Sequence, residues 1–237
     1  MIKNHTFVCF DFETGGIDKK NNHHATNYAI TEVGMVAYDM NFEHICEYRD
    51  YIKGQKINDV YVGYDPDLKY SQEALRYTAI TIETLENKGV DYKKVVKNIV
   101  EVFKQADAGA RYKKPILVGH NVAYDIPFLL YLFAYAKVDI SKYVAGYFDH
   151  HNTFQPTFLD TMYMSRISDP YNRLKHSLGD ACKRADIELF DAHTALADTK
   201  ATAKLHKWFT LRMRSGSIEA VETKVEKRTR NHFSIES

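Results

Sequence analysis

Asp11 and Glu13 stand two residues apart in TFVCFDFE, a β-branched and aromatic run typical of a central strand. Residues two apart on a strand share a face, with Cα atoms about 6.5–7 Å apart. Two carboxylates on one face of a buried strand repel each other unless a cation neutralises them. The spacing therefore suits a hard divalent ion, although a solvated strand end explains the pair more simply when it is taken alone.

A third carboxylate, Asp125, lies in HNVAYDIPFLL on an apolar helical stripe, which it shares with the residues three, four and seven positions further on. Burial of an ionised carboxylate is unfavourable unless a partner compensates for its lost hydration. Pro127 favours the first turn of a helix, so Asp125 could instead be the N-cap of that helix. Asn121 is a second candidate for this cap.

Asp198 raises the same question in DAHTALADTKATAKLHKWF, where it shares a helical stripe with Ala201, Leu205 and Trp208. The alanines of this segment leave little side-chain bulk, so another backbone can approach the helix closely. His193 precedes Asp198 by five residues, an offset of about 140° on one helix. We therefore expect His193 on the loop that enters the helix.

One divalent-metal site explains all four carboxylates together. Each has a separate explanation, but one domain would then hold four carboxylates on apolar faces without partners. Two ions about 3.5–4 Å apart could clamp the attacking and leaving oxygens of a phosphodiester. A nearby neutral imidazole can deprotonate the attacking water, so the hypothesis is that metal compensates Asp198 and that His193 is the general base.

The composition is that of an ordinary globular domain. The chain has 237 residues, of which 45% are hydrophobic and 27% are charged. No apolar run approaches the ~18–20 residues of a membrane span, and the N-terminus lacks the longer apolar run of a signal peptide. We therefore expect a cytoplasmic protein without membrane contact. The cysteines are odd in number and widely spaced, which predicts free thiols.

The charge is distributed unevenly along the chain. Residues 199–230 contain nine Lys or Arg against three Glu, although the net charge is only +1. A basic C-terminal region beside a more acidic body is compatible with a polyanionic partner, and equally with a solvated charged tail. The SGS segment marks a linker, so we predict a domain at residues 1–214 and a basic, flexible tail at residues 215–237.

The predicted elements that must position these residues alternate between strands and helices. Strands are predicted at residues 6–13, from Tyr28, from His44, at residues 115–119 and within residues 157–162, and helices at residues 91–106, after residue 119, near residues 174–185 and at residues 194–213. The MNFE link suggests a hairpin, and residues 53–71 read as a long loop. The strand at residues 115–119 should lie parallel to the first, which predicts an α/β domain with a mixed sheet.

Three segments resemble, in order, the motifs of the DEDDh family of 3′→5′ exonucleases, which contains the proofreading subunit of bacterial replicative polymerase. FDFETGG resembles D-x-E-T-x-G, HNVAYD resembles H-N-x-x-x-D, and HTALAD resembles H-x-A-x-x-D. ALRYTAIT and FLDTM resemble weaker segments of the family. The resemblance covers about residues 5–210.

The resemblance implies an RNase H-like α/β fold, in which a mixed five-stranded sheet of three antiparallel and then two parallel strands is flanked by helices. It implies His193 as the base and two Mg²⁺ or Mn²⁺ ions. The implied metal ligands, which are also catalytic residues, are Asp11, Glu13, Asp125 and Asp198. The implied substrate-binding residues, at the terminal nucleotide and the second motif, are Thr14, Gly15 and Asn121.

The expected activity is release of nucleoside monophosphates from the 3′ end of a nucleic acid, with single-stranded DNA favoured over RNA. An exoribonuclease of the same family is one alternative, because no residue decides whether a ribose 2′-OH is recognised. A catalytically silent binding or adaptor module is another, and the presence of all five predicted catalytic residues opposes it. A DNA polymerase or replication complex is a candidate partner through the C-terminal tail.

Overall fold

The computed structural model of the protein describes residues 5–17, 24–107, 114–169, 171, 173–189 and 194–215. Within them the strands are β1 (Thr6–Thr14), β2 (Ile30–Asp39), β3 (His44–Tyr51), β4 (Gln55–Ile57), β5 (Val60–Val62), β6 (Ile116–Gly119), β7 (Gly146–Phe148), β8 (Phe154–Pro156) and β9 (Phe158–Asp160). The helices are α1 (His24–Asn27), α2 (Gln72–Thr78), α3 (Ile82–Lys88), α4 (Tyr92–Ala106), α5 (Asp125–Tyr135), α6 (Thr161–Ile167), α7 (Leu178–Arg184) and α8 (Ala195–Arg214). A short 3₁₀ helix spans Ile140–Lys142.

Five strands form one mixed sheet in the order β3-β2-β1-β6-β9. β1 pairs antiparallel with β2, and β2 pairs antiparallel with β3 across the predicted hairpin link. β6 lies parallel to β1, and β9 lies parallel to β6. This arrangement confirms the predicted α/β, RNase H-like sheet of three antiparallel and two parallel strands.

The two faces of β1 enter different cores. The even-numbered residues from position 8 to position 12 pack in the larger core, together with α4 and α5. Phe7 and Cys9 pack in a smaller core on the other face, which partly buried residues of α8 cover. Since side chains alternate along a strand, Asp11 and Glu13 continue the face that α8 covers. The fold therefore places both carboxylates against the helix that carries Asp198.

The two long helices predicted from apolar periodicity are confirmed. α4 begins after Asp91, whose side chain accepts a capping hydrogen bond from the backbone N–H of Lys93. α8 covers the predicted residues 194–213 with a shift of one residue. Along its predicted stripe, Ala201 and Leu205 are buried in a third core against α7, and Trp208 is half-buried.

The capping explanation for Asp125 and for Asn121 is wrong. Helix α5 begins at Asp125, and its N-cap residue, Tyr124, makes no side-chain capping hydrogen bond. Asn121 lies in the preceding turn with a left-handed φ of 62°. The Asp125 carboxylate accepts a hydrogen bond from the backbone N–H of Phe12 on the neighbouring strand. The carboxylate of this aspartate therefore contacts the sheet.

The prediction of a structureless loop at residues 53–71 is also wrong. β4 and β5 form a hairpin there, closed by Asn58 and Asp59, whose φ angles are 48° and 63°. The tyrosines of this segment pack internally: the Tyr61 ring stacks on that of Tyr70. Positive φ at both central residues is the geometry of a tight hairpin turn.

Some predictions fall on parts of the chain that the structure does not describe. His193 and residues 216–237 lie outside the described residues, so the position of the base and the domain boundary at residue 214 stay predictions. The cysteines Cys9, Cys46 and Cys182 are free thiols. None of the helices in the described ranges is both long enough and apolar enough to cross a membrane.

Candidate active site

Three of the predicted carboxylates converge between β1 and α8. Asp11, Glu13 and Asp198 each offer one oxygen atom, and these atoms lie within 4.8 Å of one another. All three residues are partly exposed. Within the described part of the chain, no other group of three His, Cys, Asp or Glu residues has spacing that suits a metal ion.

Asp125 completes the group of four from a different element. It is 4% exposed, and its Oδ1 accepts a hydrogen bond of 3.3 Å from the backbone N–H of Phe12. Because Phe12 lies between Asp11 and Glu13, this bond holds Asp125 beside the same segment of β1. The structure therefore brings together all four carboxylates that the sequence singled out.

Burial and mutual repulsion hinder ionisation of this group. Burial, and then the charges of Asp125, Glu13 and Asp198, raise the pKa of Asp11 well above its ordinary value. Burial, followed by Asp198 and Glu32, raises the pKa of Glu13 from 4.5 to about 7. Burial and Glu13 also raise the pKa of Asp125, against the opposing effect of the hydrogen bond from Phe12. Carboxylates that share a site keep protons unless a cation replaces them.

The donor set fits a hard divalent cation. All four side chains offer carboxylate oxygens, the ligands that Mg²⁺ and Mn²⁺ prefer over nitrogen and sulfur. The raised pKa values of Asp11, Glu13 and Asp125 indicate that the surrounding protein stabilises their ionised forms poorly. The residues present are thus suited to hold one or two such ions.

Metal binding is expected to stabilise the protein more strongly at high pH. The raised pKa of Glu13 contributes stability that is present below about pH 4.5 and is lost as pH rises through about 7. The metal-free protein should therefore lose stability as the pH rises from about 4.5 to about 7, while Mg²⁺ replaces the protons and restores the stability. The melting temperatures measured with Mg²⁺ and with EDTA should differ more at pH 8 than at pH 5.5. An equal difference at both pH values would contradict the assignment of Glu13 as a metal ligand.

A close contact at Gly34 sets the distance between the sheet, which carries Asp11 and Glu13, and α8, which carries Asp198. Gly34 pairs with Asp11 in the β1–β2 register. A Cβ atom on Gly34 would lie 2.3 Å from the backbone carbonyl carbon of Ala195, the first residue of α8. The Thr199 hydroxyl lies 3.1 Å from the carbonyl oxygen of Gly34 and 2.6 Å from that of Ala195, within hydrogen-bond distance of both. α8 therefore rests directly on the backbone of β2 beside the carboxylates.

Replacement of Gly34 by alanine is expected to displace α8 from the sheet. The added methyl group meets backbone atoms that cannot rotate away, and overpacking of this kind costs about 1–3 kcal/mol of unfolding free energy. A misplacement of catalytic groups by about 1 Å can lower a rate about 100-fold. Thermal melts and turnover measure both effects. Gly179→Ala is the matched control, because no heavy atom lies within 4 Å of the added Cβ. Wild-type values for Gly34→Ala would refute this role of the contact.

Hydrogen bonds hold the end of β1, next to the carboxylates in the sequence. Thr14 is buried, and its hydroxyl oxygen lies 3.1 Å from that of Tyr124. The Tyr124 hydroxyl donates a hydrogen bond to the carbonyl oxygen of Gly16, and burial raises the pKa of Tyr124 to about 12, so it remains a donor. Gly15 is buried, with its N–H bonded to Ala29 and its carbonyl oxygen bonded to Ser71. Sequence reasoning missed Tyr124, which occupies a variable position of its motif.

The turn before Asp125 is anchored by a buried aspartate that sequence reasoning did not assign. Asp160, at the end of β9, accepts hydrogen bonds from the backbone N–H groups of Asn121, Val122 and Met162. The distances are 2.9, 3.1 and 2.8 Å. Asn121 is itself exposed, so its side chain faces solvent beside the site. Asp160 therefore fixes the start of α5, and with it the position of Asp125.

Comparison with known proteins agrees with this geometry. The exonuclease family model named RNase T matches residues 8–206. The PolC-type DNA polymerase III of Bacillus subtilis is 27% identical over 207 residues, which cover 86% of this chain and 11% of that protein. The PolC-type DNA polymerase III of Oceanobacillus iheyensis is 27% identical over 231 residues, which cover 97% of this chain and 12% of that protein. The chain thus spans only about a ninth of the length of these relatives.

The fold is also found among solved structures. The crystal structure of E. coli exonuclease I in complex with a dT13 oligonucleotide superimposes with a TM-score of 0.63 at 19% sequence identity. The match covers 90% of this chain and 42% of that chain. At this identity the similarity establishes the fold. Because the exonuclease model covers most of the sequence and the three motifs occur in order, the chain belongs to the exonuclease family, in its DEDDh, DnaQ-like group.

Proposed function

We propose that the chain is a divalent-metal-dependent 3′→5′ exonuclease that releases nucleoside monophosphates from the 3′ end of single-stranded DNA. One observation carries the proposal: Asp11, Glu13 and Asp198 converge within 4.8 Å, and Asp125 is bonded to the same segment of β1. In a chain of the exonuclease family, such a cluster is the expected centre for phosphodiester hydrolysis.

The four carboxylates would hold two Mg²⁺ or Mn²⁺ ions. When bound, such ions neutralise charge on the phosphate oxygens and lower the pKa of a coordinated water. Asp11 and Glu13 approach from the sheet, Asp198 from α8 and Asp125 from α5, so three elements fix their spacing. Because three separate elements hold the cluster, its arrangement suits catalysis better than loose ion binding does.

His193 is the proposed general base, whose ring nitrogen takes the proton of the attacking water. It directly precedes Thr194, the N-cap residue of α8, and is therefore tied in sequence to the helix that presents Asp198. Thr14 and Gly15 are the proposed contacts of the terminal nucleotide, and Asn121 is the proposed substrate-binding residue of the second motif. The Tyr124 hydroxyl contacts both Thr14 and Gly16 and thereby holds the end of β1 in place.

Two observations favour DNA as the substrate. The relatives in Bacillus subtilis and Oceanobacillus iheyensis are DNA polymerases, and the structural neighbour from E. coli was solved with a dT13 oligonucleotide. Proofreading beside a polymerase follows as a proposal from the same relatives. An exoribonuclease remains the alternative, and it differs in substrate and not in chemistry.

The test uses matched DNA and RNA oligonucleotides that carry a 5′ fluorescent label. Each is incubated with Mg²⁺, with Mn²⁺ or with EDTA, and a second pair with a blocked 3′ end tests polarity. A metal-dependent ladder that shortens from the free 3′ end of DNA is the expected result. A faster ladder on RNA would move the assignment to an exoribonuclease. Tight binding without cleavage of any oligonucleotide would support the binding module instead.

A further inference from the structure

Glu32 is a fifth carboxylate next to the site, and the motifs give it no role. Its side chain is 1% exposed on β2, directly opposite Glu13 in the β1–β2 register. A buried carboxylate requires partners that compensate for its lost hydration. Glu32 has two, and they lie on different elements: the guanidinium of Arg49 on β3 and the backbone N–H of Ala195 at the start of α8.

The ion pair with Arg49 gives the buried Glu32 carboxylate a positively charged partner. The Arg49 Nε atom donates a hydrogen bond to Oε1 of Glu32. Glu32 does not belong to the cluster whose oxygens lie within 4.8 Å of one another. Its charge is compensated within the protein, so it does not need a metal ion. The remaining oxygen, Oε2, is thereby available for the helix.

That oxygen accepts a hydrogen bond of 3.2 Å from the N–H of Ala195. The first N–H groups of a helix have no partner inside the helix, and a negative charge at that end is favourable. Thr194 occupies the N-cap position but makes no side-chain capping hydrogen bond. Glu32 therefore caps α8 from the neighbouring sheet.

The capped residue, Ala195, lies between two proposed site residues in the sequence. His193 stands two residues before Ala195, and Asp198 stands three residues after it, within the first turn of α8. The bond from Glu32 thus anchors the start of α8, three residues before Asp198, to β2, and His193 is close to this start in the sequence. Gly34 limits how closely α8 approaches the sheet, while Glu32 fixes the start of the helix laterally.

We propose that Glu32, held by Arg49, is a positioning residue that caps α8 from the sheet and thereby aligns His193 and Asp198 with the carboxylates of β1. This inference rests on the proposed exonuclease function. Outer partners of site residues typically contribute about 10–100-fold to activity. The effect should appear in kcat more than in KM, because the side chain of Glu32 is only 1% exposed and is therefore shielded from a bound substrate.

The experiment compares Glu32→Gln with Glu47→Gln in the full chain at saturating Mg²⁺. Both replace a carboxylate that links the sheet to α8, but Glu47 pairs with Lys200 at the surface, 2.9 Å away. The glutamine at position 32 presents an amide donor to either Arg49 or the N–H of Ala195, so one bond is lost. We expect kcat of Glu32→Gln to fall about 10–100-fold with KM within threefold, and Glu47→Gln to match wild type.

Two further measurements separate positioning from general loss of stability. Amide hydrogen exchange should become faster at residues 194–200 of Glu32→Gln and stay unchanged in α4. In a His193→Ala background, Glu32→Gln should lower kcat less than it does alone, because one of the groups that it aligns is missing. An unchanged kcat, an equal loss in Glu47→Gln, or fully multiplicative losses would overturn the proposal.

Failure of the proposed function is distinguishable from failure of this inference. If wild type does not degrade any oligonucleotide, the exonuclease assignment fails, while hydrogen exchange still reports whether Glu32 caps α8. If Glu32→Gln does not fold, Arg49→Lys loosens the same carboxylate and retains the positive charge. A lower kcat with KM retained in that variant supports the proposal, and a wild-type kcat overturns it.

Discussion

Asp11→Asn is expected to lower exonuclease turnover by a factor on the order of 10³ or more at saturating Mg²⁺. The asparagine keeps the size of the side chain but removes one charged oxygen from the cluster with Glu13 and Asp198. Metal-assisted charge stabilisation supplies several kcal/mol to such reactions, and each 1.36 kcal/mol is tenfold in rate. The labelled DNA ladder, quantified over time, measures the loss.

The same variant is expected to be more stable than wild type in EDTA. Burial, and then repulsion from Asp125, Glu13 and Asp198, raises the pKa of Asp11, so its replacement by asparagine should raise the free energy of unfolding in EDTA near neutral pH. Asp59→Asn is the matched control, because Asp59 lies on the exposed β4–β5 turn beside Lys56. A destabilised Asp11→Asn would indicate that Asp11 has a structural role. Activity within tenfold of wild type would show that Asp11 is not required for catalysis.

His193→Ala is expected to lower kcat by roughly 10²–10⁴, the usual contribution of a general base. Mg²⁺ affinity and thermal stability should stay near wild type, because the metal ligands are carboxylates on β1, α5 and α8. The acid limb of the pH–rate profile at saturating Mg²⁺ should also disappear in the variant. Single-turnover rates from pH 5.5 to pH 8.5 measure both changes.

His44→Ala is the control for His193→Ala. His44 is exposed on β3 and contacts Glu47 at 3.8 Å, far along the chain from the third motif. This variant should retain the wild-type rate at every pH. A His193→Ala variant that stays within threefold of wild type would remove His193 from the mechanism, and another group would have to accept the proton.

The sheet and the long helices were predictable because their signals are local and periodic. TFVCFDFE and the strand after Tyr28 are apolar on both faces, as buried central strands are. α4 repeats its apolar residues at helical spacing, and all of them are buried. The β4–β5 hairpin escaped prediction because its three-residue strands are largely exposed and show no alternation. The remaining signal was the pair Asn58 and Asp59, residues that tolerate the left-handed backbone of a tight turn.

The four carboxylates could be singled out because charge on an apolar face is conspicuous in a sequence. The residues that hold them in place could not, since their partners are distant in the chain. Asp160 contacts a turn 39 residues earlier, and Glu32 reaches a helix 163 residues later. A lone glutamate in the otherwise apolar strand around Glu32 was the available clue. Tyr124 gave no comparable clue, because aromatic residues are common next to buried helices.

The presentation of Asp11 and Glu13 by a single strand restricts where the chain can change length. Deletion or insertion of one residue between Thr6 and Phe10 would turn both carboxylates to the opposite face, toward α4 and α5. The four-residue link between β2 and β3 lies at the surface and carries no site residue. Length variation among natural or engineered versions of this domain should therefore accumulate in such links, and β1 should keep an invariant spacing.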